Sequence, residues 1–138
     1  MPERPLLDKL GVKPRMRVSL LDVGEDWFRE LLAERTGDLH DAPVQGSDLV
    51  FMKAETPADL EHLGSLRRLI KEDGAIWVLR RKGAGRTLSE TDLIAAGPAA
   101  GLVDNKIASF SPELGAMRFV IRLRDRRGSG SSTNASEE

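Results

Sequence analysis

The chain has 138 residues, enough for one domain, with 40% hydrophobic and 31% charged residues and no run near the ~18 apolar residues that a membrane-spanning helix requires. It has no cysteine and only two histidines, His40 and His62, which excludes disulfides, thiolate catalysis, zinc–cysteine sites and a three-histidine metal site within one chain. The net charge of −1 points to no partner, but residues 1–63 carry −5, residues 64–127 carry +6 and residues 128–138 carry −2; a basic half of this kind suits an anion or, more commonly, a solvated surface.

The opening MPERPLLDKL has no apolar stretch of the kind that a secretory signal needs, so a cytoplasmic protein is expected. Leu6, Leu7, Leu10 and Val12 form a lead-in that packs on one edge of the core, and Pro14 ends any helix there. Residues 17–23 predict the first strand, broken at Gly24. Glu25 and Asp26 then open a helix where negative charge suits the macrodipole. That helix is expected to reach about Thr36, with Trp27/Leu31 and Phe28/Leu32 as apolar i,i+4 pairs and Gly37 as its left-handed end. Asp22 is read as a cap for this helix, and Trp27 and Trp77 as core residues. Residues 38–46 have room for a short second strand limited by Pro43 and Gly46. Residues 48–54, DLVFMKA, are apolar without alternation, as in a parallel strand covered on both faces.

Thr56-Pro57-Ala58-Asp59 is a helix start. Leu60, Leu63, Leu66, Leu69 and Ile70 give the following helix its stripe, Asp73-Gly74 closes it, and His62 falls on its exposed side. Residues 75–79 predict the next strand, and residues 80–86, RRKGAGR, a basic loop. Thr87 with Glu90, or Ser89 with Asp92, fits a capping box for a short helix ending near Gly97-Pro98. Residues 102–110 and 117–123 predict two strands whose short link requires an antiparallel hairpin. The last of these, MRFVIRL, is expected at or near a sheet edge, protected by Arg118, Arg122 and Arg124 or covered by a second copy; homo-oligomerisation therefore stays open. Residues 126–138 are a polar Gly/Ser-rich tail expected to be disordered, leaving one domain over residues 1–125.

Strands alternating with helices imply an α/β domain whose sheet is mainly parallel, with an antiparallel C-terminal strand. Ligands in such sheets bind at the C-terminal strand ends, which nominates Gly24, Lys53 and Glu55 as cofactor-binding candidates. In the basic loop, Arg81, Lys82 and Arg86 are anion-binding candidates, because Gly83 and Gly85 leave backbone N–H groups accessible. The loop lacks the aromatic residues that stack bases, so a protein or small-molecule partner is favoured over nucleic acid. No catalytic triad, phosphate-loop motif or metal cluster is legible.

The stretches LGVKPRMRVSLLDVG (10–24) and LIKEDGAIWVL (69–79), with the helix–strand–strand ending, resemble class I methyltransferases. Pro5-Leu6-Leu7, residues 10–14, DGAIWV, RKGAG, GLVDNKIASF and MRFVIR together resemble a small bacterial family of unknown function over about residues 5–124. The resemblance implies a three-layer, Rossmann-like α/β sheet, mainly parallel with an antiparallel C-terminal strand, like a reduced methyltransferase fold. The turn after Val23 has one glycine, with Glu25, Asp26 and Trp27 beside it, where such enzymes carry a glycine-rich turn against the cofactor. Asp41 is the one substitute for a ribose-binding acid, and the roughly ten residues before DLVFMKA are too few for a further strand–helix unit. The leading expectation is a non-catalytic binding or regulatory module with no identified cofactor. The alternatives are a small-molecule enzyme binding an adenosyl compound or nucleotide at the strand ends, and an anion or nucleic-acid adaptor using the basic loop.

Overall fold

The computed structural model describes residues 5–126. Six strands form one sheet in the order β2-β1-β3-β4-β6-β5: β1 (Arg17–Leu21), β2 (Asp38–His40), β3 (Ser47–Lys53), β4 (Ile70–Arg81), β5 (Val103–Ser109) and β6 (Leu114–Val120). Only β6 runs antiparallel to its neighbours β4 and β5; the other pairings are parallel. The domain is the expected three-layer α/β sheet, Rossmann-like and mainly parallel. Among the described residues no helix is long and apolar enough to cross a membrane.

On one face Phe28 and Leu32 of α2 (Asp26–Arg35) and Leu7 of α1 (Leu6–Lys9) pack on Val18, Leu20, Phe51, Trp77 and Leu79. Phe28 meets Phe51 and Phe110 edge-on, with ring centres 5.0 and 4.7 Å apart, the arrangement that the aromatic quadrupole favours. Trp77 is fully buried, and its Nε1 donates to Leu10 O (3.1 Å), pinning the lead-in to the sheet. On the other face α3 (Pro57–Leu60), α4 (His62–Arg67) and α5 (Glu90–Ala99) cover Val50, Met52, Ile76 and Val78.

The link between β2 and β3 shapes this end of the sheet. These strands flank β1, so the chain must cross it, a span of roughly 10 Å at ~4.8 Å per strand. Residues 41–46 make the crossing without a helix, where parallel strands usually need a dozen or more residues. Such a short bridge passes directly over β1, and the residue beneath it is Ser19. Ser19 Oγ lies 2.7 Å from Ser47 Oγ and accepts Val44 N–H (3.2 Å), while the Ser47 hydroxyl donates to Val44 O (2.7 Å). Both serines are fully buried.

Several expectations are corrected. β1 stops at Leu21, because Asp22 turns left-handed (φ 56°); Asp22 is exposed and does not cap α2, whose N-terminal residue Glu25 has no side-chain cap. Gly37 is not left-handed: Thr36 is already extended, and its hydroxyl donates to Met16 O (2.7 Å), leading the chain straight into β2. The leucine stripe is split between α3 and α4, and Ile70 starts β4 opposite Ser47 instead of continuing a helix. The register then shifts so that Leu49 faces Ala75, and Gly74 lies where a Cβ would stand 2.8 Å from Asp48 O. Ser89 and Asp92 form the capping box of α5, which continues through Pro98 to Ala99; Thr87 instead donates to Glu55 O. The last strand begins at Leu114 and lies between β4 and β5, not at an edge, so Arg118 is interior to the sheet and β5 is the edge strand. Trp27 is 44% exposed: its ring lies against Phe110 and its Nε1 is bonded to the partly exposed Glu25. Of the expected polar tail only Arg126 is among the described residues; its Nε donates to Ile121 O (2.9 Å).

Ser19→Ala strips Val44 N–H and Ser47 Oγ of a buried partner and is expected to cost about 1–3 kcal/mol, measured by urea denaturation. Gly74→Ala is expected to cost a similar ~1–3 kcal/mol by forcing backbone apart. Gly64→Ala in α4, where a Cβ meets nothing within 4 Å, is expected to stabilise by ~0.5–1 kcal/mol.

Candidate functional site

The C-terminal strand ends hold most of the nominated residues. Gly24 (φ 69°) completes the turn from β1 into α2, and a Cβ there would meet nothing within 4 Å; the left-handed backbone, not crowding, makes glycine the fitting residue. Beside it a cleft of about 310 Å³ is lined by Asp22, Gly24, Glu25, Asp26, Arg29 and Asp41, among others.

Two of the acids in this lining are paired with neighbouring cations. Lys53 Nζ at the end of β3 bonds Glu25 Oε2 (3.0 Å), and Trp27 Nε1 donates to Glu25 Oε1 (3.0 Å), so both oxygens of Glu25 are engaged. The bond from Lys53 holds the Glu25 carboxyl below its ordinary pKa, against the opposing effect of burial. Arg29 grips Asp41 bidentately (2.6 and 2.9 Å) and lowers that carboxyl too. Glu55 lies past β3, with its carboxylate 3.9 Å from Arg81.

The basic loop does not gather its cations. Arg81 faces Glu55, Lys82 Nζ reaches Ser109 Oγ (3.0 Å), and Arg86 Nη1 donates to Gly83 O (3.4 Å). Arg80 is turned inward, its side chain 13% exposed, against Glu90 (3.4 Å) and Leu88 O (3.3 Å). Arg81, Lys82 and Arg86 thus have three separate sets of partners. Among the described residues no three His, Asp or Glu side chains converge to hold a metal ion. The sequence reading passed over Glu25, Arg29 and Trp27 as site residues. Their partners lie 28 and 12 positions away for the first two, and nothing in the local pattern marks them.

No protein-family model and no curated protein matches the chain. Solved structures do. A SAM-dependent methyltransferase from Aquifex aeolicus superposes with a TM-score of 0.65 at 14% identity, over 84% of this chain and 88% of that one. A structure of the Haloferax volcanii Trm112 methyltransferase activator in complex with a protein described as a methyltransferase gives 0.62 at 13%, over 85% and 87%. The precorrin-6y C5,15-methyltransferase of Geobacter metallireducens gives 0.58 at 8%, over 85% and 86%. The fold is methyltransferase-like. At these identities the likeness is one of fold, and activity rests on the site.

The residues of this cleft fit an adenosyl cofactor poorly. Its volume is at the bottom of the roughly 300–1,000 Å³ of pockets for drug-sized ligands. Asp41, the one acid placed for a ribose, is already held by Arg29.

Glu25→Gln tests the central pair. A carboxylate depressed in the folded state stabilises at pH above its unfolded value, and the benefit disappears as pH falls through the lower folded value. The variant is expected to lose up to about 1 kcal/mol at pH 7, and the gap from wild type to close below the ordinary glutamate range of about 4.3, read by urea denaturation at a series of pH values.

Proposed function

We propose that this chain is a methyltransferase-like binding or regulatory module that does not transfer methyl groups. The observation that carries the reading is the pairing of the cleft's own charges, Glu25 with Lys53 and Arg29 with Asp41, at the strand ends. A ligand using these groups must first break contacts that the protein already satisfies, and that cost subtracts directly from affinity. A protein partner suits the module: the charged strand ends and the exposed indole of Trp27 form a surface with a polar rim and an aromatic anchor, the composition of protein interfaces. A solved neighbour belonging to a complex with a methyltransferase activator lends support to protein docking by this scaffold.

A second reading rests on Gly24: its left-handed backbone and the open space beside it preserve a turn that a small adenosyl compound could approach. One experiment separates the two. Thermal unfolding is followed with S-adenosylmethionine, S-adenosylhomocysteine and ATP. A ligand at ~100 times its dissociation constant adds about 2.7 kcal/mol of stability, so binding is readily seen. No shift is expected with any of the three; a saturable shift with an adenosyl compound overturns the leading reading in favour of the second.

A further inference from the structure

A second crevice, of about 260 Å³, opens at the end of β4 on the face that carries α5. Gly115 gives it depth. Arg80, Gly115 and Ser109 are neighbours across β4, β6 and β5, and Met117 and Ile107 form the next pair on the same face. Directly opposed residues share a face of the sheet, so the missing side chain of Gly115 leaves a gap between Arg80 and Ser109. The stem of Lys82 roofs that gap: its Cγ is 3.4 Å from the position of a Gly115 Cβ. Its ammonium group reaches Ser109 Oγ at 3.0 Å.

The charges define what fits. Arg80 and Glu90 both line the crevice and pair with each other, so they cancel. Lys82 is half-buried, and its Nζ has the Ser109 hydroxyl as partner and no carboxylate within 4 Å among the described residues. The crevice therefore offers one net positive charge beside a hydroxyl donor. Its floor is apolar, and Ile107 is 55% exposed there.

We propose that this crevice binds a small organic carboxylate, with the carboxylate on Lys82 Nζ and Ser109 Oγ and the hydrocarbon part over Met117 and Ile107. A single uncompensated cation matches a monoanion better than a dianionic phosphate, and the apolar floor rewards a hydrocarbon that inorganic ions lack. The small volume limits the ligand to a few carbons or one ring. The site is separate from the cleft at Gly24 and stands whether or not that cleft binds an adenosyl compound.

The test is a titration of sodium benzoate into ¹⁵N-labelled full-length protein at constant ionic strength, with benzamide and sodium phosphate alongside. Benzoate is expected to move the amides of Lys82, Ser109 and Gly115 saturably, and the other two to leave them in place. Lys82→Met is expected to weaken binding at least about tenfold, as for the loss of a charged hydrogen bond. Gly115→Val is expected to do the same by filling the gap. The amide spectrum of each variant reports its folding independently, and Lys82→Gln replaces either variant that fails to fold. Absence of saturable shifts at those three amides, an equal response to benzamide or phosphate, or undiminished affinity in Lys82→Met overturns the assignment.

Discussion

The six-residue passage over β1 constrains the rest of the sheet. A bridge that short admits only a small side chain beneath it, and Ser19 meets the requirement while returning a hydrogen bond to the bridge at Val44. Arg17 reinforces the crossing from its other end. Its backbone N–H donates to Asp48 (2.8 Å), its Nε to Asp38 (3.1 Å) and its Nη1 to Gln45 O (2.8 Å). One side chain and one amide thus tie together β1, β2, the bridge and the start of β3. The Asp38 carboxyl, bonded first by His40 and then by Arg17, is held below its ordinary range. Where a longer crossover would cover this end with a helix, a cluster of local hydrogen bonds does so.

The economy at this end has a consequence at the strand tips. With β2 only three residues long, Asp41 follows it immediately and stands close enough for Arg29 of α2 to take both its oxygens. The acid that the sequence offers for a sugar hydroxyl is engaged for a structural reason. Glu25 and Lys53 repeat the pattern one strand over. The framework is retained while Glu25 and Asp41 at its tips are held by Lys53 and Arg29, and Lys82, one of the cations of the basic C-terminal half, stands over the β5–β6 hairpin.

Much of the architecture was legible because it depends on local pattern. The unbroken apolar run of β3, the capping residues Thr56 and Ser89, and the short link that forces β5 and β6 antiparallel are all set by neighbours in the chain. The errors fall where distant contacts decide. Ile70 has helical spacing, but Ser47 claims it for the sheet. Trp27 has core chemistry, but half of it stays in solvent beside Phe110 and Glu25. The position of β6 inside the sheet follows from pairing partners that no periodicity encodes. The positions of Gly24 and Lys53 at strand ends were legible from the order of elements, whereas the pairs formed by Glu25 and Arg29 span gaps in sequence that only the folded chain closes.

The insertion of β6 between β4 and β5 also sets the order of assembly. β6 is the last strand among the described residues, yet it supplies the partner for the edge of β4, whose residues Ala75 to Leu79 are all fully buried in the finished domain. While a ribosome is still delivering the C-terminal segment, that apolar edge has no mate, and unpaired apolar edges are templates for association with other chains. β5 holds its place in the sheet only through β6, its pairing partner among the described residues. The apolar edge of β4 is therefore left open until nearly all of this domain has emerged.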